Sequence, residues 1–435
     1  MRGIKVVFIG AGSASFGPAC LRDAVQCPEM RGGTLALVDI DEEALELMAS
    51  LAERLNKESG AGLKLEAATD RRQVLAGADF VICSIAVRRD ELWRLDWEIP
   101  RRYGIRQVLG ENGGPGGLSH ALRNIPIVLG ICRDMEELCP GALLINFTNP
   151  ESRIVMAVDR YTRIRAVGLC HGVQLGLAAV AEMLGLCPEE VDVKAAGLNH
   201  LVCFLSLRHR GTGEDLYPRL RALAPRYPDG YPSPTWCGRL DLTFAMLRHF
   251  GYYLAPSDDH IGEYLAFGWE KAGLEGYDFE KAARHREETL AAIGAAARGG
   301  PLPEGWLSRP SGEAEFEIIS AVAGGRNEYI LAANIRNGGC ITNLPPAAVV
   351  EVPAVAGPGG LHGLAMGELP RGIAALCQNQ VAVQELAVEA AVHGDREAAL
   401  QALLLDPVVD GVDTARAVLD ELLRVHAPYL PQFEK

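Results

Sequence analysis

The stretch Ile4-Lys5-Val6-Val7-Phe8-Ile9-Gly10-Ala11-Gly12-Ser13-Ala14-Ser15-Phe16-Gly17 decides the fold class. Residues 4–9 are apolar and rich in β-branched side chains, as a buried strand is. The glycines then allow a tight turn into a helix that runs to about residue 27. A second strand, Leu35-Ala36-Leu37-Val38, ends at Asp39. Strand, Gly-x-Gly, helix, strand and acid in that order describe a dinucleotide site. The glycines bring the backbone close to a pyrophosphate, and the helix N-terminus suits its charge. Gly10, Gly12 and Ser13 are therefore candidate cofactor contacts. Asp39 is the acid for the ribose hydroxyls and would repel a 2′-phosphate, which favours NAD over NADP. The fingerprint departs from its usual form: Ser15 stands at the third glycine position, and Asp39 lies beyond the usual ~20 residues.

Outward from this unit the alternation continues. A helical pattern spans Glu42 to about Ser59, with Leu45, Met48, Leu51, Ala52 and Leu55 on one face. Strands are expected at 80–85, 142–147 and 167–169, with a long helix over 118–139. This predicts an α/β fold, a Rossmann-type doubly wound parallel sheet. From about residue 190 the order changes to mixed strands near 192–209, polar Pro-rich loops at 210–235, helices over much of 238–298 and a Gly/Pro-rich stretch at 299–312. Strands at 341–356 and a mostly helical last 70 residues follow. The simplest division is an NAD-binding domain at 1–195 and a substrate-binding and oligomerisation domain of mixed α+β structure at 196–435.

The bulk properties narrow the class. A chain of 435 residues is long enough for roughly two or three domains. The net charge of −14, without long Lys/Arg runs, argues against nucleic acid and against anionic membranes. No apolar run reaches the ~18 residues of a membrane span, and the N-terminus is too short in apolar residues for a signal peptide. Eleven scattered cysteines without paired zinc spacing predict reduced thiols in a cytoplasmic protein.

Three further features carry chemistry. Four glycines crowd residues 113–117 in Gly110-Glu111-Asn112-Gly113-Gly114-Pro115-Gly116-Gly117, which predicts a close backbone approach. Cys170 follows an apolar strand, at the end where ligands gather in open α/β sheets. His200 follows Gly197-Leu198-Asn199. A thiolate and an imidazole bind Mn²⁺, Fe²⁺, Co²⁺ or Ni²⁺ when other oxygens complete the shell. On residue types alone, a buried cysteine and a satisfied strand-end histidine explain the pair equally well.

The chain resembles glycoside hydrolase family 4, the NAD- and metal-dependent glycosidases related in fold to lactate and malate dehydrogenases. The resemblance rests on GAGS at 10–13, GPGG at 114–117 followed by ALRNIP, and TNP at 148–150. It extends through GLCHGVQ at 168–174, GLNH at 197–200, NLPPAAVVEVP at 343–353 and VQELAVEAA at 383–391. It implies that the C-terminal part is lactate/malate dehydrogenase-like. It also implies oxidation of the sugar at C3 by NAD, metal-assisted loss of the C2 proton, elimination of the aglycone, addition of water and return of the hydride. Such a route stands apart from glycosidases that use two carboxylates.

By the same resemblance Cys170 and His200 are metal ligands, with Mn²⁺ the expected ion. Asn149, His171 and Asn112 are sugar contacts, and His171 is also the acid. Asp258 is the expected C2 base, with Asp259, His260 and Tyr264 as rivals; capping a helix is the competing explanation for these acids. The run Cys170-His171-Gly172-Val173 resembles the signature of members acting on α-galacturonides, the expected small-molecule substrate. Related members act on α-glucuronides or α-galactosides. A uronate calls for a cation, with Arg88, Arg89, Arg94 and Arg336 as candidates. The dehydrogenase-like relatives lead us to expect a homodimer or homotetramer. Two other classes compete: a hydroxyacid or sugar dehydrogenase, which would accumulate NADH, and an NAD-binding sensor, for which Cys170 would be indifferent.

Overall fold

A computed structural model describes residues 3–224 and 239–434. Of the loop expected at 210–235, residues 225–235 lie outside the described residues.

Among the described residues twelve strands form one sheet. In chain order they are β1 (Lys5–Ile9), β2 (Thr34–Val38), β3 (Lys64–Ala68), β4 (Phe80–Cys83), β5 (Leu143–Asn146), β6 (Arg165–Gly168), β7 (Val191–Leu198), β8 (Leu201–His209), β9 (Leu254–Ala255), β10 (Glu328–Arg336), β11 (Val349–Gly357) and β12 (Gly360–Gly363). The first six run parallel in the order β3-β2-β1-β4-β5-β6. This is the doubly wound dinucleotide-binding order. The sheet then continues antiparallel through β10, β11, β7, β8 and β9, with β12 paired to β11.

The alternation of side chains along β1 explains the layers. Val6 and Phe8 join one core with the helices Phe16–Gln26 and Glu42–Ser59, while Val7 and Ile9 face the helices Gly114–Leu138 and Glu151–Tyr161. Both faces are covered, so the central strands read as unbroken apolar runs. The expected helix at 42–59 is found as Glu42–Ser59, with Asp41 accepting from the Ala44 N–H at its start. The long helix begins earlier than its apolar period suggests, at Gly114, because the glycine run itself forms its first turn.

Four strands, β3, β9, β10 and β12, were not legible in the residue pattern. β3 is a poorly buried edge strand of sequence KLEAA, and such residues have little β preference of their own. β10, of sequence EYILAANIR, forms beside β6 only because the chain returns there from far away.

The seam between the parallel and antiparallel parts is narrow. β6 meets β10 at the pair Gly168/Asn334, and β11 meets β7 at Glu351/Gly197. These pairs lie on one row that runs Ile9, Cys83, Asn146, Gly168, Asn334, Glu351, Gly197 across seven strands. The row marks the level just below the strand ends.

A buried carboxylate ties the helix Arg89–Arg102 to its neighbours. Asp96 accepts from Arg123 and lies 2.9 Å from His426 Nε2, all three being buried. The ten cysteines among the described residues are all free; Cys237 lies outside them. No described helix is long and apolar enough to cross a membrane.

Candidate active site

The nucleotide end is built by close approach. Gly10 has φ +89°, and a Cβ there would fall 2.0 Å from the Ser84 carbonyl oxygen. Gly12 donates its N–H to Asp39 Oδ2 at 2.8 Å, and Asp41 donates to Oδ1 at 3.0 Å. Asp39 is half-buried, and each of its oxygens keeps a lone pair for a further donor. Ser13 Oγ accepts from the Phe16 N–H at 3.2 Å. The third glycine of the fingerprint is Gly17, not position 15: a Cβ on it would meet the Ala11 carbonyl at 2.7 Å. The helix that starts at Phe16 has no acid in its first turn, and Ser15 at its N-cap makes no side-chain bond, so its amide end favours an anion.

The second cluster lies beyond the ends of β5, β6 and β7. Asn149 is half-buried, with its carbonyl held by Asn124 Nδ2 at 2.8 Å. Cys170 follows β6 by two residues, and His171 beside it starts the helix Gly172–Leu184. Asn199 and His200 form the two-residue turn of the β7–β8 hairpin. His200 has φ +64°, a conformation that costs an ordinary residue on the order of 1–2 kcal/mol. A glycine would take that position without strain, so the imidazole is kept for what it touches.

What it touches is specific. His200 Nδ1 lies 3.2 Å from Asn112 Nδ2 and 3.9 Å from Glu263 Oε2, and its ring packs edge-on to His260 at 4.3 Å. Burial, reinforced by the neighbouring His260, pushes its pKa well below the usual value. The ring is therefore neutral, the form that binds metals. Burial raises the Cys170 thiol, as does nearby Glu351; the Asn199 side chain and the Gly172 backbone oppose them. His171 is 39% exposed and lies 3.6 Å from Glu313 Oε1.

The segment 257–264 separates the candidate bases. Asp258 is buried and turned away: Oδ2 accepts from the Leu242 N–H at 2.7 Å, and Oδ1 from the Thr243 N–H and Oγ1, both at 2.8 Å. It caps the helix Asp241–Phe250, so the capping explanation applies to it, on a neighbouring helix. Asp259 instead pairs with His260 at 2.8 Å and accepts from Ser257 Oγ. Burial works against both charges. The pair nonetheless holds Asp259 down at about 2 and His260 up at about 9. Tyr264 is buried, and burial keeps its hydroxyl protonated.

The glycine-rich loop serves a carboxyl group of the chain itself. Glu263 Oε1 accepts the N–H groups of Glu111 at 2.6 Å, Asn112 at 3.1 Å and Gly113 at 3.3 Å. A Cβ on Gly113 would meet the Glu263 carbonyl at 2.6 Å. The close approach expected of the loop is thus internal. Asn112 is only 2% exposed, and its amide is spent on His200. Glu263, Glu313, Asn199 and Glu351 escaped the sequence reading. Only the last carries a local signal, an acid inside the apolar run Val349-Val350-Glu351-Val352.

Of the four arginines, three are engaged away from the cluster. Arg88 pairs with Glu91 and Tyr429, Arg94 with Glu280, and Arg336 with Asp159. Arg89 stacks over Trp93 at 4.7 Å and Tyr277 at 5.5 Å and stands 3.6 Å from Glu111, whose neighbour Asn112 touches His200.

Residues 5–186 match the family described as Family 4 glycosyl hydrolase, and residues 195–409 match its C-terminal domain. An alpha-glucosidase of Erwinia rhapontici is 34% identical, covering 98% of this chain and 98% of its own. An alpha-galacturonidase of Bacillus subtilis (strain 168) is 31% identical over 93% of each. A 6-phospho-alpha-glucosidase from gut microorganisms, solved in complex with NAD and Mn²⁺, superposes with a TM-score of 0.85 at 22% identity. The match covers 99% of both chains.

Proposed function

This chain belongs to family 4 of the glycosyl hydrolases, and from that premise we propose that it cleaves α-galacturonides, with NAD and a divalent metal as its cofactors. The observation that carries the reading is the placement of a half-buried thiol and a half-exposed histidine just past β6 and of a neutral imidazole in the turn after β7. The relatives named above are similar in sequence and carry different sugar names, so the galacturonide rests on the run Cys170-His171-Gly172-Val173.

The residues fit both cofactors. Among the described residues no three His, Cys, Asp or Glu side chains gather that could hold a metal by themselves. Cys170 and His200 would supply two ligands, Mn²⁺ being the ion expected, and leave positions for sugar oxygens. Gly10, Gly12, Ser13 and Asp39 would hold NAD. When bound, NAD supplies reversible hydride transfer, and the metal supplies Lewis acidity at the sugar hydroxyl oxygens.

The chain's own groups do the rest. Asn149 would orient sugar hydroxyls. His171, steadied by Glu313, would give a proton to the departing glycosidic oxygen. For the C2 proton we place the base at Asp259 instead of Asp258. The three hydrogen bonds Asp259 accepts all fall on Oδ1, leaving Oδ2 to take the proton, and it is ionised at neutral pH. Arg89 is our choice for the uronate carboxylate, since its stacked, planar guanidinium suits bidentate pairing.

The alternative within the family is an α-glucosidase, α-galactosidase or α-glucuronidase, favoured by the 34% identity to an alpha-glucosidase. The deciding experiment measures sugar release from p-nitrophenyl α-galacturonide, α-galactoside, α-glucoside and α-glucuronide, with NAD, Mn²⁺ and a thiol reductant, omitting each in turn. Cleavage of the galacturonide alone, lost without NAD or metal, supports the proposal. Cleavage of another sugar alone moves the substrate, and NADH accumulation without cleavage points to a dehydrogenase.

A further inference from the structure

A segment of the C-terminal half lies along the first helix of the nucleotide-binding half. In the helix Phe16–Gln26, Arg22 donates to the Arg309 carbonyl at 2.9 Å, and Gln26 donates to the same carbonyl at 3.1 Å. Between them Asp23 holds Ser311 twice: Oδ1 accepts its N–H at 2.8 Å, and Oδ2 bonds its hydroxyl. The backbone N–H can only donate, so Oδ1 is an acceptor whatever the charge on the carboxyl group. Ser311 Oγ in turn accepts the Glu313 N–H at 3.0 Å. Glu313 Oε1 stands at ion-pair distance, 3.6 Å, from His171 Nδ1. A chain of contacts thus runs from the first helix to His171 through a turn 288 positions away.

Stability alone gives little reason for an acid at position 23. Asp23 is buried, and burial raises its pKa. It also lies in the last turn of its helix, where the macrodipole disfavours a carboxylate. What it gains is a fixed Ser311, backbone and hydroxyl together, and through that hydroxyl a fixed backbone at Glu313. His171 is the more exposed member of the pair that follows. A half-exposed imidazole turns about its side-chain bonds unless a partner holds one nitrogen, and the held nitrogen decides where the other one points.

We infer that Asp23 is a positioning residue for the acid step: through Ser311 it seats Glu313, and Glu313 holds the His171 ring with Nε2 toward the leaving oxygen. This rests on reading His171 as the acid. In that step the C2 proton has already left. The C1–O bond breaks, its electron pair goes to the glycosidic oxygen, and that oxygen takes a proton from His171. The pair left on C2 closes the C1=C2 double bond. A badly aimed ring slows this step and not the earlier one at C2.

The test uses the full chain with NAD and Mn²⁺, and the methyl and p-nitrophenyl α-galacturonides, or the same pair of whichever sugar it cleaves. A departing methoxide needs the proton, whereas p-nitrophenolate largely does without it. The second readout is solvent deuterium at C2 of recovered methyl glycoside, which counts proton removals that return before the C1–O bond breaks. In Asp23→Ala, kcat for the methyl glycoside should fall about 10–100-fold, part of what a well-placed acid supplies, with p-nitrophenyl cleavage within about threefold of the parent. Deuterium in recovered methyl glycoside, per cleavage, should rise by a similar factor. Ser311→Ala should repeat this and replaces Asp23→Ala should that variant not fold. An equal fall on both glycosides with no gain of deuterium per cleavage is a merely structural effect and overturns the inference. So does parent behaviour in either folded variant. If instead His171→Phe leaves the deuterium per cleavage of the methyl glycoside at the parent value, the acid reading itself falls, and that outcome is separate from these.

Discussion

The Asn112 amide nitrogen stands 3.2 Å from Nδ1 of His200, joining the loop that opens the helix at Gly114 to the turn between β7 and β8. Residues 88 apart in sequence thus set the state of one imidazole. The neutral ring has one N–H and one lone pair, and whichever Asn112 atom faces Nδ1 decides whether Nε2 presents a lone pair or an N–H outward. Glu263 underlies the same loop, so the backbone that carries Asn112 is itself held by a buried carboxyl group.

Cys170→Ser is expected to fold normally and to lose metal. Serine is close in size, but its neutral hydroxyl is a far poorer ligand for a divalent cation than an anionic thiolate. Mn²⁺ titration and circular dichroism check both halves. Full activity at equal metal would remove Cys170 from the site. Chelation of the parent enzyme should likewise stop turnover.

Asp258→Asn and Asp259→Asn should fail in different ways. The first turns an amide NH₂ toward one of the three donors Asp258 accepts from, and should cost about 1–3 kcal/mol of stability. The second should leave stability nearly unchanged and reduce exchange of a C2 deuterium with solvent by about 10²–10⁴-fold. Thermal melts and deuterium exchange separate the two. If Asp258→Asn alone abolishes exchange, the base is Asp258.

Arg89→Gln should raise KM for a galacturonide with a smaller effect on kcat, and leave a galactoside or glucoside unaffected. A charge-assisted bidentate pair is worth about 1.5–3 kcal/mol, so a KM rise of roughly tenfold or more is expected. Equal loss on charged and uncharged sugars would show that Arg89 only supports the loop at Glu111.

Asp96→Asn should destabilise the chain by about 3–5 kcal/mol, because it leaves buried Arg123 without its counter-charge. Burial works against the Asp96 charge, but Arg123 and His426 hold its pKa below the usual 3.8. Its contribution is therefore complete above the unfolded pKa and lost as pH falls through the lower folded one. Denaturant midpoints across the acid range should show the parent losing stability in that window and the variant losing less.

What the residues announce locally and what they leave to the fold divide along a clear line. Gly10 and Gly12 are legible because a tight turn demands them within three positions of each other. Cys170 and His200 are legible as strand-end residues because apolar runs stop beside them. The third glycine was misplaced, since the contact of Gly17 with Ala11 depends on how the first helix leans on its strand.

By itself the sequence determined the doubly wound, parallel alternation of the N-terminal strands other than β3, the nucleotide turn and the family. Each follows from short-range period, spacing and motif, which neighbouring residues express without help. Only the tertiary structure bears on the choice between Asp258 and Asp259 and between Arg89 and its three rivals, and only it shows that the 110–117 loop meets Glu263. It alone brought Glu351 to Asn199, 152 positions apart. The reason is physical: a carboxylate, an amide or a guanidinium has several partners of equal chemical merit. Which of them it meets is settled by packing, and packing is a property of the whole chain.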